Sequence, residues 1–462
     1  MASKHKSNIS WSSILLTLLL IAAVASVIWV LSDIAKTIPP TSNTKEQIAK
    51  PTIISIDKLA NTLISQFTSK NISQKDQKNT LQAVKNTLQH LQDTNNYQTL
   101  EKLQKLDLSG AINTLKTMVE VEEKPRNAAK IWVDIGNLQQ LQSSQLALYA
   151  YKKASKLDDN NINAWNRLGH YYRQQQKFSL AENAYTHVLQ SANKTTKALA
   201  YTNFGLLYQA QSQLDEAETA YLKALDINRI EKNTASLASN SENLAIIYKQ
   251  KNNFEASEKY YLNALSHYET LQQSKQIANI QTSLASLYHK NNKLDDAKHY
   301  YQTALNIYLK EKNQRKIADI YSSLGIIHQQ QNQASEAKVF FEKSLEINQA
   351  LDSQQGIAEQ YGNLGILYRS QKNLLKSESS HLKSLQIYQT LSHIEGVSQQ
   401  QTNLGFLYQA WDQTDKACEY WKKSTETLSQ TKNTNRIERI KILLEKYCLG
   451  TTTKDIEINP PN

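Results

Sequence analysis

From about residue 195 onward, apolar positions recur with a fixed stride. Asn363–Tyr368 reads Asn-Leu-Gly-Ile-Leu-Tyr; forty residues later Asn403–Tyr408 reads Asn-Leu-Gly-Phe-Leu-Tyr, and forty earlier Ser323–His328 reads Ser-Leu-Gly-Ile-Ile-His. Earlier copies stand at Ser283–Tyr288, Asn243–Tyr248 and Asn203–Tyr208, so the small residue falls at Gly205, Ala245, Ala285, Gly325, Gly365 and Gly405. Two looser copies centre on Gly136 and Gly169. Twelve residues after the small residue comes another, at Ala181, Ala217, Ser257, Ala297, Ala337, Ser377 and Ala417. Four further on stands a ring: Tyr185, Tyr221, Tyr261, Tyr301, Phe341, His381 and Trp421. Three beyond that the residue is short again, from Val188 and Ala224 to Ser384 and Ser424. Steps of three and four are helical. They predict a helix hairpin in which the Gly or Ala lets the two helices approach, and the ring fills the space against the next hairpin. A fixed period of this size marks a solenoid.

Trp165, Leu168, Gly169, Tyr172, Ala181 and Tyr185 carry the signature W-x2-L-G-x2-Y…A-x3-F, and the chain resembles the tetratricopeptide repeat family. The resemblance implies an all-α fold, a right-handed α-solenoid of helix hairpins, and eight repeats over residues 127–430. The first, with Trp132, Gly136, Ala147, Tyr151 and Ala154, is one residue short between its halves. The spacing then grows from 33 to 36 and holds at 40, against about 34 in the usual repeat. All six prolines, at 39, 40, 51, 125, 460 and 461, lie outside the array. This predicts a longer second helix and a longer link to the next repeat. The Asn-Leu-Ala-x-x-Tyr form with a long second helix resembles the kinesin light chain type of repeat and its bacterial relatives, over about 195–430. An amphipathic stretch at Arg436–Tyr447 makes residues 431–448 a capping helix, and 449–462 reads as a flexible tail.

The N-terminal part is different in kind. A short basic tail, 1–11, precedes an uncharged run whose core, Ile14–Leu31, is almost wholly apolar. Eighteen helical residues reach about 27 Å, close to the hydrocarbon thickness of a bilayer. Trp11 and Trp29 lie near its ends, as interfacial aromatics do. We read 12–32 as a transmembrane anchor. The rival is a cleaved signal peptide, since Ala23-Val24-Ala25 resembles a cleavage site, but the apolar run continues past it. The basic N-terminus places the repeats on the extracytoplasmic side, periplasmic in a bacterium, although Lys36 and Lys45 after the span make the charge asymmetry small. Residues 33–53 form a polar linker with Pro39, Pro40 and Pro51. Residues 54–126 read as helical: Leu81, Val84, Leu88 and Leu91 make one stripe, short for a coiled coil and suited to packing on the first repeat. Leu100–Val119 reads as a degenerate hairpin.

Composition narrows the function. The net charge is +11 over 462 residues, but Lys is spread among Asp and Glu without a basic block, so a solvated surface is expected and nucleic acid is not. Cys418 and Cys448 have no metal spacing; a buried thiol and a disulfide both remain open. No phosphate loop, dinucleotide loop, GxSxG or HExxH occurs, so neither an enzyme nor a cofactor is expected. His328 and His381 occupy ring positions and are expected to pack as ring substitutes.

What remains is the concave surface, lined in this family by the first helix of each hairpin. The residue before the Leu-Gly pair is Asn203, Asn243, Ser283, Ser323, Asn363 or Asn403. Amide side chains both donate and accept, so such a ladder can hold an extended peptide backbone. One turn on stand Gln209, Lys249, His289, Gln329, Arg369 and Gln409; Lys249 and Arg369 favour an acidic ligand. The position after the Gly or Ala is mostly apolar (Leu206, Ile246, Ile326, Ile366, Phe406), which departs from the Asn used by the carboxylate-clamp branch of the family. The expectation is a membrane-anchored scaffold that binds a peptide or protein segment in its groove. The alternative is an assembly or regulatory subunit of an envelope complex, making contact through the convex face or the N-terminal helices.

Overall fold

The computed structural model describes residues 55–68, 74–191, 193–431 and 433–448. The regions read as tail, anchor and linker (1–53) and as C-terminal tail (449–462) lie outside the described residues. Among the described residues no helix is long and apolar enough to cross a membrane, and all regular structure is helical. Four helices come first: α1 (Ile56–Phe67), α2 (Gln74–Asp93), α3 (Tyr97–Gln104) and α4 (Leu108–Val121). Eight hairpins follow. They pair α5 (Pro125–Gln139) with α6 (Ser144–Leu157), α7 (Ile162–Gln174) with α8 (Phe178–Leu189), α9 (Lys194–Ala210) with α10 (Leu214–Ile230), and α11 (Thr234–Gln250) with α12 (Phe254–Thr270). They continue with α13 (Ser274–Lys290) on α14 (Leu294–Lys310), α15 (Gln314–Gln330) on α16 (Ala334–Ala350), α17 (Gln354–Ser370) on α18 (Leu374–Thr390), and α19 (Ile394–Ala410) on α20 (Thr414–Ser429). A last helix, α21 (Thr434–Cys448), packs on α20.

The expected longer link is not found. From α9 to α19 every helix has 17 residues, and three residues join it to the next. The residues beyond the usual repeat length therefore extend both helices, and the true unit is twenty residues. Local chemistry sets both ends of that unit. Asn193, Asn233, Asn253, Asn313 and Asn373 each accept a hydrogen bond from the backbone N–H three residues on, satisfying a donor the helix start leaves open. At the other end the chain turns through a left-handed residue every twenty positions, from Ser212 (φ 60°) through Lys232, Asn252 and Gln272 to Asp412 (φ 58°). The Gln213 N–H reaches the Tyr208 carbonyl at 2.9 Å and the Ser212 N–H reaches that of Gln209 at 3.1 Å. This paired closure stops the helix without glycine or proline.

The ring position makes a further contact beside the one expected. A Cβ at Gly205 would lie 2.4 Å from the Tyr221 ring, one at Gly325 2.5 Å from Phe341, and one at Gly405 2.2 Å from Trp421. Each ring therefore sits on the glycine of its own hairpin as well as filling the space against the next. The reason is reach: sixteen residues separate glycine and ring, which places them face to face across the short link. The other side of each ring packs against the following hairpin, Tyr185 on Phe204, Tyr221 with Leu244 and Ile247, and Phe341 with Leu364 and Leu367. The hydroxyls reach further, with Tyr261 reaching Ser283 and Tyr301 reaching Ser323. His381 lies buried over Gly365, bonded through Nδ1 to Gln400 at 2.9 Å. Burial holds it neutral, with a pKa lowered to about 4. His328 stacks on Phe340 at 5.1 Å. Both act as ring substitutes.

Hairpins are joined by the signature tyrosine. Tyr248 donates to Glu218 at 2.6 Å, Tyr288 to Glu258 at 2.7 Å, and Tyr408 to Glu378, each on the second helix of the preceding hairpin. Neighbouring first helices also touch directly, α7 on α9, α15 on α17 and α17 on α19, which puts first helices on the tighter, concave side. At the N-terminal end Val84, Leu88 and Leu91 of α2 join Leu59, Leu63, Leu100, Leu115, Ile131 and Ile135 in one core. At the other end Ile440 and Leu443 of α21 are buried, and a disulfide joins Cys418 to Cys448 with Cα atoms 5.9 Å apart. That resolves the two cysteine readings in favour of the bridge.

Candidate functional site: the concave face

The ladder residues lie on consecutive first helices and are bonded along the array. Asn203 donates to Asn166 at 2.6 Å, Lys249 to Ser286 at 3.3 Å, and Asn363 to Ser322 at 3.3 Å; His289 Nε2 lies 2.9 Å from Gln330 Oε1. Each bond links one first helix to its neighbour. Gln209 accepts from the Tyr221 hydroxyl at 3.2 Å. Asn243, Ser283, Ser323 and Gln329 are partly exposed on the same face, and Ser323 donates to the Asp319 carbonyl. Asn403 departs from its sisters. It is 2% exposed and its Nδ2 has no partner, so it does not present an amide to the groove. Burial lowers the pKa of Lys249, helped by the charge of Lys290. Burial also lowers that of Arg369, whose guanidinium lies 5.5 Å from the centre of the Phe406 ring.

Helix α2 is a feature the sequence reading did not foresee at this face. Its polar side runs along the first helices of repeats one and two. His90 Nδ1 lies 2.5 Å from Asp134 Oδ2 on α5, and Asn137 of α5 donates to Thr87 at 3.1 Å while accepting from Tyr151 at 2.9 Å. Further along, Asn79 Nδ2 lies 3.3 Å from His170 Nε2 on α7. The His90 pKa is raised, first by the hydrogen bond to Asp134. Burial raises that of Asp134, with the His90 bond opposing. Between α2 and helices α5, α7 and α9 lies a polar cavity of about 540 Å³, with Lys130, Asn163, Asn166, Arg167 and Asn203 in its wall. The signal for α2 was thin, because a helix outside the repeats carries no periodic reference against which its polar face stands out.

A second cavity of about 370 Å³ lies at the other end, between α17, α19 and α21, with Arg369, Phe406, Gln409, Lys446 and Tyr447 in its wall. Arg369 and Gln409 were legible as groove positions; Lys446 and Tyr447 were not, since they belong to the cap. Among the described residues no group of His, Cys, Asp or Glu could hold a metal ion.

No curated protein matches this sequence. Among solved structures, a signal transduction ATPase with a tetratricopeptide repeat sensor from Pyrococcus horikoshii is similar over 74% of this chain and 54% of its own, at 14% identity and a TM-score of 0.54. That likeness is one of fold. BtubC from P. vanneervenii (23% identity, 54% of this chain, 99% of its own, TM-score 0.40) and aspartyl phosphate phosphatase F from Bacillus subtilis (13%, 91%, 100%, 0.48) are also similar. The family model described as "Tetratricopeptide repeat" matches residues 160–230, 196–270 and 276–350. With the hairpin array and its glycine–ring packing, these matches identify a protein built of tetratricopeptide repeats across the matched residues 160–270 and 276–350.

Proposed function

We propose that this protein is a membrane-anchored scaffold that holds a peptide or protein segment along its concave face, without catalysis. The observation that carries the reading is the row of amide, hydroxyl and basic side chains on consecutive first helices, bonded to one another and still partly exposed. Such a row offers donors and acceptors to an extended backbone at a fixed stride. Because α2 covers the first two repeats, the free groove runs from α9 towards α21. The basic members Lys249 and Arg369 favour an acidic segment, and no feature recommends nucleic acid. Anchoring rests on the Ile14–Leu31 run. The disulfide supports an extracytoplasmic position for the repeats, since such bonds persist in oxidising compartments. The 40-residue repeats retain their likeness to the kinesin light chain type.

The test is affinity capture by the full-length protein from detergent-solubilised native membranes, beside a variant carrying Asn363→Ala, Arg369→Ala and Gln409→Ala. Loss of a partner from a variant of unchanged helicity supports the groove. Equal retention moves the interface to the convex face or to the helices within 54–126, as a subunit of an envelope complex would have it.

A further inference from the structure

The cavity between α17, α19 and α21 differs from the rest of the groove in three ways. First, it combines charge with an apolar lining: Ile366, Phe406, Leu443 and Tyr447 lie beside Arg369 and Lys446, and no carboxylate is in its wall. Second, its main cation, half-buried, has no carboxylate partner. Lys249, at the equivalent position three repeats upstream, is bonded to a neighbouring serine hydroxyl. Arg369 instead rests on the Phe406 ring at 5.5 Å, and burial alone acts on its ionisation. A cation taken out of water without a counter-charge is costly to keep. Lys446 similarly lies 5.4 Å from the centre of its neighbour Tyr447. Third, one wall is not a repeat helix. Leu443, Lys446 and Tyr447 belong to the cap, and the next residue, Cys448, is bonded to Cys418 on α20. The site exists only while α21 stays in place.

We infer that this cavity takes an acidic side chain and a large apolar side chain two residues from it in an extended segment of a protein partner, and that the Cys418–Cys448 bridge completes the site by holding α21. The carboxylate meets Arg369 and Lys446, and the apolar side chain lies on Phe406 and Tyr447. The two halves of the wall stand on successive groove helices, and side chains two apart in an extended segment share a face about 7 Å apart, so one segment running along the array meets both. An acid within the segment suits a cavity that opens onto a continuing groove. This inference rests on the reading of the concave face as a peptide groove.

The probes are acetyl-capped, amide-ended peptides carrying Leu-Ala-Asp, Phe-Ala-Asp or Trp-Ala-Asp within an alanine and glycine frame and bearing a photo-crosslinking group. Their Asn counterparts, and versions ending in a free carboxylate directly after the apolar residue, complete the set. Binding to the full-length protein in detergent is read by fluorescence polarisation and the crosslinks are mapped. The expected result is a preference for Asp over Asn of about tenfold or more, with crosslinks on α17, α19 and α21. Arg369→Gln and Lys446→Gln each abolish the preference, and reduction or Cys448→Ser weakens binding while helicity elsewhere is retained. Equal binding of Asp and Asn peptides, unchanged binding after reduction, or tighter binding of the free-carboxylate set overturns the inference. Crosslinks along α11 to α15 but not here also overturn it and leave the groove reading standing. No binding by any probe at millimolar concentration removes this site, whereas the groove reading is then decided by the capture experiment alone.

Discussion

A Cβ placed on Gly405 would meet the indole of Trp421, which is fully buried. Elsewhere the chain carries a methyl at this register: Ala245 and Ala285 share one core with Tyr261 and Tyr301. Gly405→Ala is therefore expected to destabilise the last hairpin by about 1–3 kcal/mol, read as faster amide exchange in α19 and α20, whereas Ala245→Gly should cost no more than its loss of helix propensity, about 1 kcal/mol. Serines at the small positions make the same close approach in another way. Ser257 and Ser377 donate to the carbonyls of Ala245 and Gly365, both at 2.8 Å, so a hydroxyl at a helix contact finds a backbone partner instead of being buried unpaired. The positions of these residues were legible because each recurs at a constant offset. The close seat of the ring on its own hairpin's glycine was not, since an offset gives register and not the face a side chain packs on. Asn403 makes the same point: it has the type and register of Asn203, Asn243 and Asn363, yet it alone is fully buried, because its surroundings at the end of the array are outside the repeat pattern.

At the scale of the element, α2 is held to the first repeat by a pair that titrates. The His90 side chain is 34% exposed and that of Asp134 7%. His90 has its pKa raised above 6.5 by its partner, so the stability it contributes is complete below about 6.5 and is lost as pH rises through the raised value. Asp134, raised by burial, acts in the same sense, because its ionised form is the one the fold disfavours. Lys130 opposes and Asp93 assists the charge on His90. Amide protection of α2 should therefore fall as pH rises above about 6.5 while that of α11–α16 stays level, and His90→Gln should remove most of this pH dependence. The apolar stripe that seats α2 could be read from Leu81, Val84, Leu88 and Leu91. That its polar side would cover the concave face could not, because Asn, Gln and His at helical spacing look the same on a solvated surface.

At the scale of the molecule, contacts run only between neighbours, so stability is a sum of local terms rather than one core. Breaking the cap bridge with Cys418→Ser should lower the local stability of α21 by about 2–4 kcal/mol and leave exchange in α5–α14 unchanged; hydrogen exchange read helix by helix separates the two. The eight hairpins themselves were legible, because each apolar face recurs with the stride of the unit that buries it. The twenty-residue unit inside the forty was not, because the left-handed closing residues are Ser, Lys, Asn, Gln and Asp, with no glycine to mark them. That unit has a genetic consequence. Excising residues 234–273 removes one hairpin with its links and brings Tyr288 to where Tyr248 stood, facing Glu218 in place of Glu258. The same hydrogen bond would close the same joint. Unequal recombination between the reading frames of adjacent repeats would thus yield chains differing by whole multiples of forty codons, shorter or longer in groove and unchanged at either end.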